Sequence, residues 1–199
     1  MSNVIAKRIL VLDGHPDARG GRYLHALAAA YRKGAQDAGH EVQTIELAKL
    51  EFPLLRTAEE FAGRPEAPVV LEAQQALVWA EHVVILFPLW LGSMPALLKA
   101  FLEQVLRPGF AFAPGKGRGL PRKLLAGRSA RIVVTMGMPS LFYRLVYRAH
   151  SLKSLERNIL GFCGLHPVRA SVIGMVEGMS AKARRGWLER MAKLGRRAA

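Results

Sequence analysis

Apolar and polar positions follow two rhythms along this chain: short β-branched runs, and longer stretches spaced as on a helix face. The run Ile9-Leu10-Val11-Leu12 predicts a first strand over residues 8–13. Alanine- and leucine-rich residues 22–38 predict a helix stopped at Gly39. Residues 41–47 mix apolar and polar positions, as a strand near a sheet edge does. Residues 69–80 predict a second helix, and residues 82–87, reading Val-Val-Ile-Leu-Phe after His82, predict a strand buried on both faces. Pro95 suits the first turn of a third helix, which reaches about Arg107 and ends at Pro108-Gly109. Strands are expected over residues 130–136 and 167–173, with a fourth helix near 151–162 between them. Ser180 is placed to cap a final helix in the basic stretch 181–199. Strands alternating with helices predict one α/β domain over residues 1–199, a parallel sheet with helices on both faces. Right-handed crossovers put ligands at the carboxyl ends of strands. Chemistry is therefore expected in the loops after the first, third and fourth strands.

Composition narrows the classes. A chain of 199 residues that is 51% hydrophobic can bury one sizeable core. The net charge of +14 raises nucleic acid, an acidic membrane surface or an anionic ligand as partners. The cations concentrate at Arg118, Arg122, Lys123 and Arg128, and again along Lys182, Arg184, Arg185, Arg190, Lys193, Arg196 and Arg197. No helix-turn-helix, zinc finger or aromatic-basic RNA module accompanies them, so nucleic acid is not an expected partner and a solvated basic face is the plainer reading. The single cysteine, Cys163, excludes an intramolecular disulfide and fits a cytoplasmic location. Its apolar neighbours read as those of a buried small hydrophobe. The apolar run before Asp13 is too short to span a membrane, and no signal-peptide cleavage pattern follows it. The six histidines are scattered without carboxylates at ligand spacing, so no metal site is expected.

The three loops carry the candidate chemistry. Gly14-His15-Pro16-Asp17-Ala18-Arg19-Gly20-Gly21-Arg22 opens a helix, where free N–H groups and the positive helix end attract a phosphate. Arg19, Arg22 and His15 are possible partners for its oxygens. The glycine spacing matches neither a dinucleotide fingerprint nor a Walker loop, and an ordinary glycine-requiring loop is the alternative. Pro88-Leu89-Trp90-Leu91-Gly92-Ser93-Met94-Pro95 is rigid and aromatic; it fits a ligand ring, or else the core or an interface. In Thr135-Met136-Gly137-Met138-Pro139, Gly137 permits close backbone approach. Tyr143 and His150, seven positions apart, can both carry protons; a structural or surface role is the alternative for His150.

Taken together these segments resemble the NAD(P)H:quinone oxidoreductase family of flavodoxin-like flavoproteins. The likeness rests on His15-Pro16, on Tyr23-Leu24-His25-Ala26-Leu27, on Phe87-Pro88-Leu89-Trp90-Leu91-Gly92-Ser93-Met94-Pro95-Ala96-Leu97-Leu98-Lys99-Ala100-Phe101, on Gly109-Phe110-Ala111-Phe112, and on Thr135-Met136-Gly137 with Tyr143 and His150. The resemblance implies a flavodoxin-like five-stranded sheet in the order 2-1-3-4-5. It implies bound FMN, with FAD as the alternative, and NAD(P)H as co-substrate. A quinone or other small aromatic acceptor would receive the hydride in a ping-pong cycle. By the same likeness, His15, Arg22, Tyr23 and Leu24 surround the flavin phosphate and ribityl chain, and Gln74 approaches the cofactor. Pro88, Leu89, Trp90 and Leu91 line the ring; Thr135, Met136, Gly137 and Met138 bind its pyrimidine edge; Tyr143 and His150 assist proton and charge movement. Members usually pair as homodimers, for which aromatics near Phe110, Phe112, Phe142 and Tyr147 would serve. Some relatives are flavin-binding ancillary subunits of potassium-efflux transporters, which makes a membrane transporter the alternative partner, with the basic C-terminus as its contact. This chain departs in carrying Gly20, Gly21 and Arg22 where hydroxyl residues are common, and Met138-Pro139 where some relatives have a second glycine. Arg118 or Arg122 would meet the 2′-phosphate if the donor were NADPH.

Overall fold

The all-apolar runs owe their composition to burial on two sides. The computed structural model describes residues 5–115 and 119–199, so Arg118 and residues 1–4 lie outside the described residues. Strands β1 (Arg8–Asp13), β2 (Glu41–Glu46), β3 (His82–Pro88), β6 (Ser129–Thr135) and β7 (Val168–Ile173) form one parallel sheet ordered β2-β1-β3-β6-β7. In chain order this is the expected 2-1-3-4-5 arrangement. Side chains alternate across a strand, and the two cores obey that period. Leu10, Leu12, Val83, Ile85, Phe87, Ile132 and Val134 face one core; Ile9, Val11, Val84, Leu86 and Val133 face the other. The register that aligns them pairs Val11 with Val84 and Ile85 with Ile132.

Helices α3 (Pro68–Trp79) and α4 (Ala96–Val105) cover the first core. Helices α1 (Tyr23–Asp37) and α8 (Ala181–Arg196) cover the second. The Ser180 side chain accepts the Ala183 N–H at 3.2 Å and caps α8 as expected. At the sheet edge, β2 half-buries only Val42 and Ile45. Cys163 is 2% exposed, and burial pushes its thiol up to about 11, which suits a packing residue rather than a nucleophile.

Four features depart from the sequence expectation. The short helix α2 (Ala58–Ala62) lies between the second predicted strand and the second predicted helix, where the hydrophobic pattern predicts no element. Thr57 accepts the Glu60 N–H at 3.1 Å, so a Thr-x-x-Glu start was readable where no apolar period was. The basic loop 110–127 contains an antiparallel pair, β4 (Phe112–Ala113) with β5 (Arg122–Lys123). The aromatic segment after β6 contains α5 (Ser140–Leu145). The fourth helix is a composite: α6 (His150–Lys153) widens into a π-helical stretch, Ser154–Leu160, and closes with α7 (Gly161–Cys163). Elements this short repeat no period often enough to be seen in sequence.

Candidate active site

The carboxyl ends of β1, β3 and β6 lie side by side, and their loops are tied together. Gly14 N–H donates to the Leu86 carbonyl at 2.7 Å, holding the first loop against β3. A Cβ on Gly14 would stand 2.8 Å from Leu86 O and 3.0 Å from Leu98 Cδ2, so only glycine fits there. Leu89 N–H donates to the Thr135 carbonyl at 2.7 Å, and the His15 ring meets the Trp90 ring edge-on at 6.1 Å.

The first loop is organised around two acids absent from the expected site. Asp13, 5% exposed, accepts the His15 N–H on Oδ1 at 3.2 Å and faces His25 Nδ1 with Oδ2 at 2.5 Å. Asp17 collects both arginines: Arg19 Nη2 at 2.9 Å and Arg22 Nη2 at 2.5 Å. Arg19, then Arg22, holds the Asp17 carboxyl well below the usual carboxylate range. The signal for Asp13 was available: a carboxylate that ends an otherwise apolar strand is buried and must be partnered. Burial, with His25 beside it, lowers the His15 pKa. Burial also disfavours a charge on His25, but Asp13 and the Asp17 carbonyl outweigh it and raise its pKa. Helix α1 starts with no side-chain cap from Arg22 and no acid in its first turn, which leaves its positive end open to an anion. Tyr23 is half-buried, donates to the Arg184 carbonyl at 2.9 Å and carries the Arg184 guanidinium over its ring. Leu24 is 3% exposed and packs into the second core, so only its backbone faces the loop.

The loop after β3 is a two-residue hairpin. Trp90 N–H reaches Ser93 O at 2.8 Å and Ser93 N–H reaches Trp90 O at 2.9 Å. Leu91 (φ 46) and Gly92 (φ 79) both have positive φ, as a primed turn requires. Leucine rarely tolerates this, yet Leu91 is fully exposed and Trp90 half-exposed. Such strain tends to gather where function needs a fixed shape. The left-handed backbone costs a leucine roughly 1–2 kcal/mol, and the extra freedom of an unfolded glycine returns about 0.4–1 of it. Leu91→Gly is therefore expected to stabilise the monomer by up to about 1 kcal/mol in urea unfolding. A destabilised variant would contradict the strain.

Beside this hairpin lies a recess of about 440 Å³, lined by Trp90, Leu91, Ser93, Met94, Pro95 and Ser151 among others, which is the size of a small-ligand site. Pro88 and Leu89, which lead into the hairpin, are half-buried. Thr135 and Met136 are buried, Gly137 is exposed and Met138 half-buried. The Met136 and Met138 carbonyls accept from Val176 and Met175 of the loop after β7, at 3.2 and 3.1 Å.

Three expected residues stand apart. Gln74 spends its amide on the Val105 carbonyl at 2.9 Å, at the far end of α4 from these loops. Tyr143 is 1% exposed and packs in the first core, and its hydroxyl accepts the Leu152 N–H at 3.2 Å. His150 is exposed at the start of α6. The outward aromatics of this segment are Phe142 and Tyr147, in edge-to-face contact at 5.7 Å, beside exposed Leu141, Leu145 and Val146. Phe110 and Phe112, expected at an interface, are half-buried against the first core.

Comparison with known proteins places this arrangement. A family model described as flavodoxin-like fold matches residues 7–194. An uncharacterised NAD(P)H oxidoreductase of Haemophilus influenzae is 24% identical over 188 residues, 92% of each chain. The potassium-efflux ancillary protein KefG of Escherichia coli is 42% identical over 128 residues, 61% of this chain and 66% of that one. A ribosyldihydronicotinamide dehydrogenase-like protein of Penicillium crustosum is 28% identical over 156 residues, 65% of this chain, and the aligned stretch spans only 57% of the relative's length. Among solved structures, the NAD(P)H:quinone oxidoreductase of Methanothermobacter marburgensis superposes with a TM-score of 0.80 at 22% identity, covering 98% of this chain and 100% of that one, and so shares the fold.

Proposed function

This chain belongs to the flavodoxin-like fold family, and from that premise we propose that it is a flavin-dependent NAD(P)H oxidoreductase whose acceptor is a quinone or another small aromatic molecule. The observation that carries the reading is the single wall made by the three loops, with the uncapped start of α1 at one end and the Trp90 hairpin at the other. The residues present fit a flavin mononucleotide. The N–H groups that open α1, with His15 and Arg22, would hold the phosphate. The backbone of Pro88, Leu89, Trp90 and Leu91 would line the ring, and that of Thr135, Met136, Gly137 and Met138 its polar edge, where exposed Gly137 gives closest approach. When bound, the flavin supplies reversible hydride acceptance, and the protein supplies position and hydrogen bonds.

The buried position of Tyr143 changes its part. It anchors α6 through Leu152 and so shapes the loop, while His150, exposed at the start of α6, is the member of the pair that solvent reaches. The exposed apolar strip on α5, with Leu91, is the surface we assign to a homodimer. The relative named for NAD(P)H oxidation supports the donor, and the one named for ribosyldihydronicotinamide supports a dihydronicotinamide as its reacting group. The higher identity to KefG supports a second reading, that the flavin protein serves a potassium-efflux transporter in the cytoplasm. Purified protein should bind FMN more tightly than FAD and turn over a soluble quinone with NADH or NADPH, giving parallel reciprocal plots for a ping-pong order. Flavin binding without quinone turnover favours the ancillary role; a protein that takes up no flavin defeats both.

A further inference from the structure

Both ring nitrogens of His25 face oxygen acceptors. Nδ1 lies 2.5 Å from Asp13 Oδ2, and Nε2 lies 3.0 Å from the Asp17 carbonyl oxygen. A carbonyl oxygen can only accept, so Nε2 carries a proton. The Asp13 carboxylate accepts as well, and its other oxygen already takes the His15 N–H at 3.2 Å. A neutral imidazole has one N–H and would leave a lone pair aimed at one of these oxygens. His15, with its ring 5.1 Å away, is the complement: its Nδ1 accepts the Asp17 N–H at 3.0 Å, so its single proton sits on Nε2. Asp13 and His25 thus grip the loop at two points, the amide of His15 and the carbonyl of Asp17.

We propose that His25 is held as an imidazolium and acts as the positioning residue of the first loop, fixing the backbone from Gly14 to Asp17 and setting a positive charge beside the anion-binding start of α1. The consequence for cofactor binding rests on the function proposed above; the protonation state and the grip on the loop do not. His25 is the third residue of α1, so its charge lies within the turn where an anion would bind. Around it stand Asp13 at the end of β1, His15 and Asp17 of the loop, with Arg22 on Asp17, Arg32 further along α1, and Glu46 and Lys49 across a cleft of about 280 Å³. Glu46 is itself paired with Lys49 at 2.7 Å, which leaves Asp13 as the carboxylate committed to His25. The raised pKa of His25 and the lowered pKa of His15 agree with this division of protons. A raised histidine pKa adds stability that is full below the unfolded value and is lost as pH climbs through the folded one.

The decisive measurement is a nitrogen-15 NMR titration of the histidine side chains in ligand-free protein. His25 should carry two protons at neutral pH and lose one with a midpoint above the ordinary 6.5, while His15 carries one, on Nε2. The backbone amides of His15, Asp17 and Ala18 should shift with the His25 midpoint. A singly protonated His25 at neutral pH, or loop amides indifferent to its titration, overturns the proposal. Binding supplies the second arm. His25→Gln should weaken FMN at neutral pH by about tenfold or more, the loss of one charge-assisted contact, leave riboflavin affinity unchanged, and converge with the parent protein above the His25 midpoint. Equal losses for FMN and riboflavin mean a merely damaged fold and defeat the positioning role. If the parent protein binds neither flavin, the proposed function falls, and the titration alone decides His25.

Discussion

Alanine in place of Gly34 is expected to lower the stability of the fold by about 2 kcal/mol, although alanine is the better helix former. Helices α1 and α8 meet backbone to backbone. A Cβ on Gly34 would lie 2.1 Å from the Ala192 carbonyl oxygen, and one on Gly195 would lie 2.1 Å from the Tyr31 carbonyl oxygen. Neither obstacle is a flexible side chain, so a methyl group fits only if the helices part by roughly 1 Å, and a close-packed interior transmits that movement. Overpacking of this kind costs up to about 3 kcal/mol, against about 1 kcal/mol gained from helix propensity. Gly186 on the same helix is the internal control: a Cβ there meets nothing within 4 Å. Gly186→Ala should stabilise by about 1 kcal/mol in the same urea titration. Combining Gly34→Ala with Gly195→Ala should cost less than the two single losses together, because one separation of the helices relieves both clashes. A neutral Gly34→Ala would mean that the α1–α8 contact is looser than its backbone geometry.

The sheet was legible because burial on two faces leaves a plain mark. A strand such as Val83 to Phe87 must be apolar at every position when Val83, Ile85 and Phe87 fill one core and Val84 and Leu86 the other. The three loops were legible by topology, since ligands gather at the carboxyl ends of parallel strands. Individual side chains were harder. Tyr143 and Gln74 are residue types that sequence marks for chemistry, yet each is consumed by a backbone partner, Leu152 N–H and Val105 O. A buried hydrogen bond to the main chain leaves no trace in spacing. Asp13, Asp17 and His25 were overlooked for the opposite reason. Their importance lies in pairing with one another, and twelve positions separate Asp13 from His25 in the chain. Arg19 and Arg22 were expected to be open for a phosphate, but Asp17 holds both. An incoming phosphate must therefore compete with a carboxylate already in place or share the guanidinium groups with it, which makes anion binding here sensitive to salt. The glycines at 20 and 21, which replace expected hydroxyls, are not required for space, since a Cβ at either position meets nothing within 4 Å; Gly21, at φ 86, instead suits a left-handed backbone.

Acid should destabilise the protein through His82, by about 2 kcal/mol between pH 7 and pH 5. His82 opens β3 and is 2% exposed. Its Nδ1 meets the Ser129 hydroxyl at 2.8 Å, while Nε2 is buried with no hydrogen-bond partner among the described residues. A proton added there would be a buried unpaired charge. Burial, followed by the nearby cations Lys7, Arg131 and Arg169, lowers its pKa to about 3. Its folded value is thus far below the unfolded 6.5. Between those values the unfolded chain binds a proton that the folded chain refuses, so stability falls with decreasing pH by about 1.4 kcal/mol per unit. His15, also lowered, acts in the same direction, and His25, raised, acts against both. The contribution of His82 is therefore isolated by difference. His82→Phe keeps a ring against Tyr31, whose centroid lies 6.5 Å away, and removes the titrating group. Half-buried Ser129 keeps access to water for its hydroxyl. The loss of stability from pH 7 to pH 5, taken from urea unfolding at each pH, should be smaller in His82→Phe by about 2 kcal/mol. Equal losses in both proteins would show that the unfolded chain gains no proton at His82 relative to the folded one.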